Sequence, residues 1–246
     1  MEGAHKLSFV VETASERARE LFAPLGPTYD RYARLLSFGQ DPRWRRFLVS
    51  RLPVRRDEVV LDVATGTGAV ALELVRTKGC SVVGVDQSPE MLAEARRRLM
   101  LAGETRRVRF VEAGAEGLPF DDGSFDGLTA AYVLRYLDDL PAGLRELARV
   151  LRRGATAALL DFGVPPARLP RAAWGLYADV GLPLLGRLIS PGWHEVGRFL
   201  GGSIRAFDRD WPLPRVLGQL REAGFEEVQA RRLSLGGCSV VWGRRA

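Results

Sequence analysis

Apolar positions along the chain follow two rhythms. Phe22, Leu25, Tyr29, Tyr32, Leu35 and Leu36 recur at helical spacing, and predict an amphipathic helical segment over 1–55. After Leu52-Pro53-Val54 comes a short unbroken run, Val59-Val60-Leu61, which reads as a buried strand. Gly66 and Gly68 punctuate it, and a helix is expected over Val70–Thr77. Ser81–Val85 predicts a second strand ending on Asp86. Ser88 is then placed to cap a helix that carries Pro89 at its first position and runs to about Leu99. Further strands are expected at Val108–Val111, Phe125–Ala131 and Thr156–Phe162, with a helix over Leu140–Leu151. Arg171–Leu200 is largely apolar but interrupted by Gly and Pro, and reads as broken helices. A helix over Leu213–Gly224 precedes a closing strand pair, Val228–Leu233 and Cys238–Gly243. Strands alternating with helices call for an α/β fold with a doubly wound, mostly parallel sheet, here seven-stranded. One unit of 246 residues is expected: a helical cap to residue 55, a core over 56–162, a helical lid over 163–210 and closing elements over 211–246.

Composition narrows the class. Apolar residues at 46% and charged residues at 27% are ordinary for a folded globule. The net charge of +6 comes from 36 Lys and Arg spread over the whole chain, so it marks no nucleic-acid patch by itself. Cys80 and Cys238 lie far apart without metal spacing, which reads as two buried thiols in a reducing, cytoplasmic setting. With only His5 and His194 present, no metal site is expected. No leader-like pattern opens the chain, and no run of about 18 uncharged apolar residues predicts a spanning helix.

The candidate chemistry centres on Asp62-Val63-Ala64-Thr65-Gly66-Thr67-Gly68, where the first strand gives way to a helix. Glycines there let a cofactor approach the backbone. Gly66–Ala71 also fits G-x-G-x-x-A, so a nicotinamide dinucleotide and S-adenosylmethionine are both compatible with the loop; Asp86 can take both hydroxyls of a ribose in either. Asp62 favours the second cofactor. A carboxylate at the mouth of the loop would repel a pyrophosphate and attract, directly or through water, the ammonium and sulfonium of S-adenosylmethionine. Gln87 and Met91, after Asp86, join the expected cofactor contacts, as do Gly114-Ala115-Glu116 beyond the third strand and Ala131 at the end of the fourth. S-adenosylhomocysteine would be the product.

Three stretches resemble the class I methyltransferases: Val60–Gly68, Leu118-Pro119-Phe120-Asp121-Asp122-Gly123-Ser124-Phe125-Asp126, and Leu147-Ala148-Arg149-Val150-Leu151-Arg152-Arg153-Gly154. Others resemble the ubiquinone and menaquinone biosynthesis C-methyltransferases more closely: Tyr29-Asp30, Leu36-Ser37-Phe38-Gly39, Trp44-Arg45-Arg46-Phe47, Tyr132-Val133-Leu134-Arg135, Leu160-Asp161-Phe162, Leu182-Pro183 and Phe199-Leu200-Gly201-Gly202-Ser203-Ile204. The resemblance spans about residues 20 to 240 and implies methyl transfer to a ring carbon of a demethylmenaquinol-type prenyl quinol. It also implies that Tyr29 reaches the carboxylate end of the cofactor. The chain departs from that family at Tyr136, where Asn is usual, at Gly197, where Tyr is frequent, and at Asp161, where Glu is usual.

Methyl transfer needs alignment and exclusion of water rather than a covalent residue. The polar candidates near the acceptor are Arg135, to hold an oxygen as charge develops, with Tyr136, Asp161, Tyr177 and His194, the last in an expected lid at Pro191–Glu195 and able to act as a base. The fourth strand lacks the Asn/Asp-Pro-Pro-aromatic motif of base-amine methylation, and neither Cys follows a proline, so nucleic acid is not the expected partner. Trp174–Trp193 suits a pocket for a greasy substrate or a peripheral contact with a bilayer. A homodimer is compatible with the sequence and not specified by it. Two alternatives stand beside the quinol: another lipophilic acceptor, or a non-catalytic S-adenosylmethionine-binding protein.

Overall fold

The computed structural model describes residues 13–246. His5 and the first part of the predicted N-terminal helical segment lie outside the described residues. From Thr13, whose side chain and Glu16 form a reciprocal capping box, the cap is three helices, α1 (Ala14–Phe22), α2 (Gly26–Leu36) and α3 (Asp41–Ser50).

The strands β1 (Val59–Val63), β2 (Ser81–Asp86), β3 (Val108–Glu112), β4 (Phe125–Ala131) and β5 (Leu151–Phe162) run parallel. The last two, β6 (Phe225–Leu233) and β7 (Cys238–Arg245), complete a seven-stranded sheet in which β7 is antiparallel to both neighbours. The order is β3-β2-β1-β4-β5-β7-β6, so the winding reverses between β1 and β4. Crevices at the carboxyl ends of such strands are where doubly wound sheets bind ligands. The connecting helices α4 (Ala69–Lys78), α5 (Pro89–Ala102) and α6 (Leu140–Val150) begin and end where the local chemistry directs: Ser88 and Asp139 accept the backbone N–H groups of Met91 and Ala142, and Gly79 and Gly103 close α4 and α5 at positive φ. One apolar cluster, with Leu61, Leu128, Leu144 and Leu159, packs one sheet face; another, with Leu48, Leu52, Leu74 and both cysteines, packs the opposite one.

The strands found are longer than the periodicity suggested. β5 starts at Leu151 rather than Thr156, and β6 starts at Phe225, ahead of a bulge between Glu226 and Gln229 where Glu227 takes φ 51° and hides the alternation.

The lid also differs. Of the breaks expected over 171–200 the structure has one, at Ser190; residues 168–189 before it form one continuous helical rod: α7 (Arg168–Leu176), a π turn (Tyr177–Gly181) and α8 (Leu182–Ile189). The widened turn accommodates Pro183, which has no N–H to give. Ser190 then caps α9 (Pro191–Asp210), so His194 lies in the first turn of a helix, not in a loop. A Cβ on Gly186 would stand 2.2 Å from the Trp193 carbonyl oxygen, and one on Gly197 would stand 2.5 Å from that of Leu182. Both glycines let α8 and α9 touch backbone to backbone, which accounts for Gly197 where the resembled family carries Tyr. The helix α10 (Leu213–Glu222) leads into β6.

Candidate active site

The turn from β1 to α4 curls tightly because Ala64, Gly66 and Gly68 all take positive φ, of 54°, 53° and 74°. The Gly66 N–H donates to Asp86 Oδ2 at 2.8 Å, and the Ser88 N–H to Oδ1 at 2.9 Å. Asp86 thus closes the end of β2 against the loop, each oxygen keeping a further lone pair. Burial, opposed by these N–H bonds, moves its carboxyl above the ordinary carboxylate range. A Cβ built on Gly66 or on Gly114 meets nothing within 4 Å, so the backbone at both places borders open space.

That space is a cavity at the reversal between β1 and β4. Ala64, Thr65, Gly66, Thr67, Asp86, Gln87 and Met91 line one side of it. Gly114, Ala115, Glu116, Ala131 and Tyr29 line the rest, with Arg135 and Tyr136 where β4 runs out. Of the expected cofactor contacts only Asp62 and Gly68 do not border it. Gly68 instead lets α4 approach α5, since its Cβ would lie 3.1 Å from that of Ala95. Asp62 sits beneath the loop, 1% exposed, its oxygens accepting the Thr65 and Thr129 hydroxyls at 2.6 and 2.7 Å. From there it is bonded to the loop through the Thr65 hydroxyl.

Burial pushes the Asp62 carboxyl up to about 6, against the two hydroxyl bonds that favour its charge. A raised carboxyl destabilises the fold as pH climbs from the unfolded value to the folded one, because the unfolded chain releases its proton first. Asp62→Asn, which can still bond both threonines, is expected to melt higher than the parent at pH 8 and to lose that advantage near pH 4. Equal melting temperatures at pH 8, measured by circular dichroism, would show that this carboxylate carries no such penalty.

The cap closes the cavity from above. Gln87 and Ser15 bond reciprocally, at 2.8 and 2.9 Å, holding α1 over the opening. Asp30 on α2 accepts the Thr67 hydroxyl at 2.6 Å and pairs with Arg98 and Arg45. Arg45 is 8% exposed, bonds Asp41 at 3.0 Å and lines the cavity beside Tyr29. Sequence reasoning gave Arg45 no role: it stands among Arg43 and Arg46, and nothing local distinguishes a buried arginine from its solvated neighbours.

A second, more apolar cavity of about 250 Å³ adjoins the first. Trp44, Phe162, Trp174, Leu182, Trp193 and Ile204 are among its walls, as are Tyr29 and Tyr177. Tyr132 and Arg135 border both cavities. Tyr132, also without an assigned role in the sequence, takes φ 63°, stacks on Phe162 at 4.6 Å and donates to Asp41 at 2.7 Å. A strained non-glycine residue at a strand end is a mark of a functional position.

Arg135 is the charge at the junction. It pairs with Asp161 from β5, bonds the Tyr136 hydroxyl at 2.8 Å and packs 4.4 Å from that ring's centroid. The Arg135 and Asp161 side chains are only 3% and 6% exposed. Burial opposes charge on Arg135, but Asp161 and Tyr136 outweigh it and hold the guanidinium protonated. Arg135 Nε and Asp161 Oδ2 remain buried without a partner. Burial raises the Tyr136 and Tyr29 hydroxyls above their usual range and Tyr177 to about 12, so none is a ready phenolate. Tyr177 donates to the Leu36 carbonyl. His194 lines neither cavity, which places it away from the expected role of base; its Nδ1 lies 2.9 Å from the Pro183 carbonyl oxygen. The described residues hold no cluster able to bind a metal.

Comparison with known proteins agrees with this architecture. A demethylmenaquinone methyltransferase of Thermus thermophilus is 40% identical over 92% of this chain and all of its own length. The ubiquinone/menaquinone biosynthesis C-methyltransferase UbiE of Geotalea uraniireducens is 34% identical, covering 95% of this chain and 98% of the relative. Among solved structures, the cyclase SpnF superposes with a TM-score of 0.66 at 17% identity, covering 95% of this chain and 97% of that one. A geranyl diphosphate methyltransferase in complex with GPP and sinefungin gives 0.59 at 16%, over 82% and 76%. Both likenesses concern the fold. A model of the ubiE/COQ5 methyltransferase family matches residues 10–245. The chain belongs to the ubiE/COQ5 methyltransferase family and is an S-adenosylmethionine-dependent methyltransferase.

Proposed function

We propose that the acceptor is a demethylmenaquinol-type prenyl quinol, methylated on a ring carbon, on the cytoplasmic side and at a membrane surface. The observation that carries this is the apolar second cavity with one buried cation, Arg135, at its junction with the first. The two relatives' names agree with it. The first cavity takes the cofactor. Its residues suit one: an open glycine backbone at Gly66 and Gly114, and a carboxylate, Asp86, with lone pairs free for two ribose hydroxyls. Gln87, Met91, Ala115, Glu116 and Ala131 surround the rest, and Arg45 with Tyr29 offers a cation and a hydroxyl for the methionine carboxylate. When bound, S-adenosylmethionine supplies a methyl group activated by positive sulfur.

The chain's own residues then align and shield. Arg135 holds the acceptor oxygen on which negative charge builds, so that electron density reaches the adjacent ring carbon. Asp161 holds Arg135 in place and keeps it charged. Tyr132 and Phe162 form an aromatic wall and exclude water. Tyr136 stands where the resembled family has Asn, and it favours a second reading, another lipophilic phenol as acceptor.

The test is transfer of labelled methyl from S-adenosylmethionine to a panel of reduced demethylated quinols, naphthols and other lipophilic phenols. Label on a ring carbon of a demethylnaphthoquinol is expected. Transfer to another phenol with none to any quinol would overturn the acceptor, and no transfer at all would favour a non-catalytic binder.

A further inference from the structure

The rod over 168–189 is apolar on two faces. Trp174, Ala178 and Leu182 face the second cavity. On the opposite side Leu169, Leu176, Val180, Leu184 and Leu188 are exposed, the two end leucines at 84% and 83%. Spacings of seven and then four residues put these on one stripe. A helix apolar all round belongs in a core or in lipid, and this one lies on the surface.

Two turns extend the stripe. Phe38 is 72% exposed at φ 52°, with its ring 5.1 Å from that of Tyr177. Leu235 is 77% exposed at φ 59°, next to Ser234 at φ 47° and in a turn whose glycines pack on Pro165 and Trp174. Three non-glycine residues in the left-handed region, two of them turning large apolar side chains to water, are unfavourable for an isolated globule in folding and in hydration alike. Phe38 and Ser234 also line the second cavity beside Tyr177, so the two turns carry the patch to the cavity's edge.

The charge around the stripe is predominantly positive. The rod carries Arg168, Arg171 and Arg187, and its one acid, Asp179, is paired with Arg205. Arg34 is exposed beside Leu35, itself 62% exposed.

We propose that this face, the outer side of 168–189 with Phe38 and Leu235, docks on an anionic lipid bilayer and opens the acceptor cavity toward it. The proposal rests on the lipophilic-acceptor reading for its purpose, not for its evidence. Leucines entering the headgroup boundary with arginines at phosphate level describe an interfacial helix. A second copy of the chain fits less well: a symmetric contact would bring the same arginines together. With the rim against lipid, a prenyl-chain acceptor passes from the acyl region to the second cavity without crossing water.

The experiment is co-flotation of the full chain with phosphatidylcholine vesicles, with and without phosphatidylglycerol, in the absence of any acceptor. The parent is expected to float with the anionic vesicles and to dissociate as salt is raised. Leu184→Gln with Leu188→Gln, neither lining a cavity, is expected to lower partitioning by at least about tenfold while activity on a short-chain, water-soluble acceptor stays at the parental rate. Arg168→Gln with Arg187→Gln should remove the preference for anionic vesicles. A parent that floats with neither vesicle, or a leucine variant that floats as well as the parent, would overturn the proposal. So would a concentration-dependent dimer abolished by the leucine changes, which would assign the face to a second copy. Failure of the quinol assay leaves the flotation result standing, so the two readings fail separately.

Discussion

Asp86→Ala is expected to weaken S-adenosylmethionine binding about 10²- to 10⁴-fold. The figure follows from losing two hydrogen bonds to a charged acceptor, each contributing about 1.5–3 kcal/mol. The two protein donors on this carboxylate, the Gly66 and Ser88 N–H groups, come from the loop and from the start of α5, so alanine also releases the mouth of the cavity. Asp86→Asn separates the effects. One amide oxygen can still accept a backbone N–H and steady the loop, while the NH₂ cannot accept from a ribose hydroxyl. Isothermal titration should rank parent above Asn above Ala. Equal affinities in all three would remove Asp86 from the cofactor site.

The second large effect is expected at Asp161. Replacing it with Asn leaves Arg135 charged and buried without a counter-ion, a loss of about 3–5 kcal/mol. For a chain of this length that is a fall in melting temperature of about 6–20 °C. Adding Arg135→Met should restore most of the stability, since Met beside the neutral Asn leaves no desolvated charge. Turnover should not return with it, because no cation then stands at the junction of the cavities. A thermally stable double variant with parental turnover would show that the pair serves packing alone. Asp161→Asn melting with the parent would show that the pair adds nothing to the fold.

The parts legible in the sequence were those with short-range causes. The β1 run, the glycines after it and Asp86 at the end of β2 form one local pattern, and the structure sets them round one cavity. Ser88 before Pro89 marked its helix start for the same reason. What the sequence hid depends on partners far along the chain. Asp62 lies 67 residues from Thr129, the neighbour that helps bury it, so its withdrawal from the cavity had no nearby signal. Arg45 is buried by Asp30 of α2, Tyr132 just after β4 and Asp41 of its own helix. Gly and Pro usually interrupt helices, and over 171–200 one break is present, at Ser190; before it a π turn absorbs Pro183, while Gly186 is needed for the contact with α9. His194 looked available because it follows Pro and Gly, yet that Pro starts a helix capped by Ser190.

The latch between Ser15 and Gln87 has a consequence for the order of events in a catalytic cycle. Phe22, on the same helix, is a wall of both cavities. A movement of α1 that opened the first cavity would therefore unroof the second as well. With cofactor in the first and acceptor in the second, exchange of the two guests would be ganged, and steady-state inhibition by S-adenosylhomocysteine should depend on how much acceptor is present.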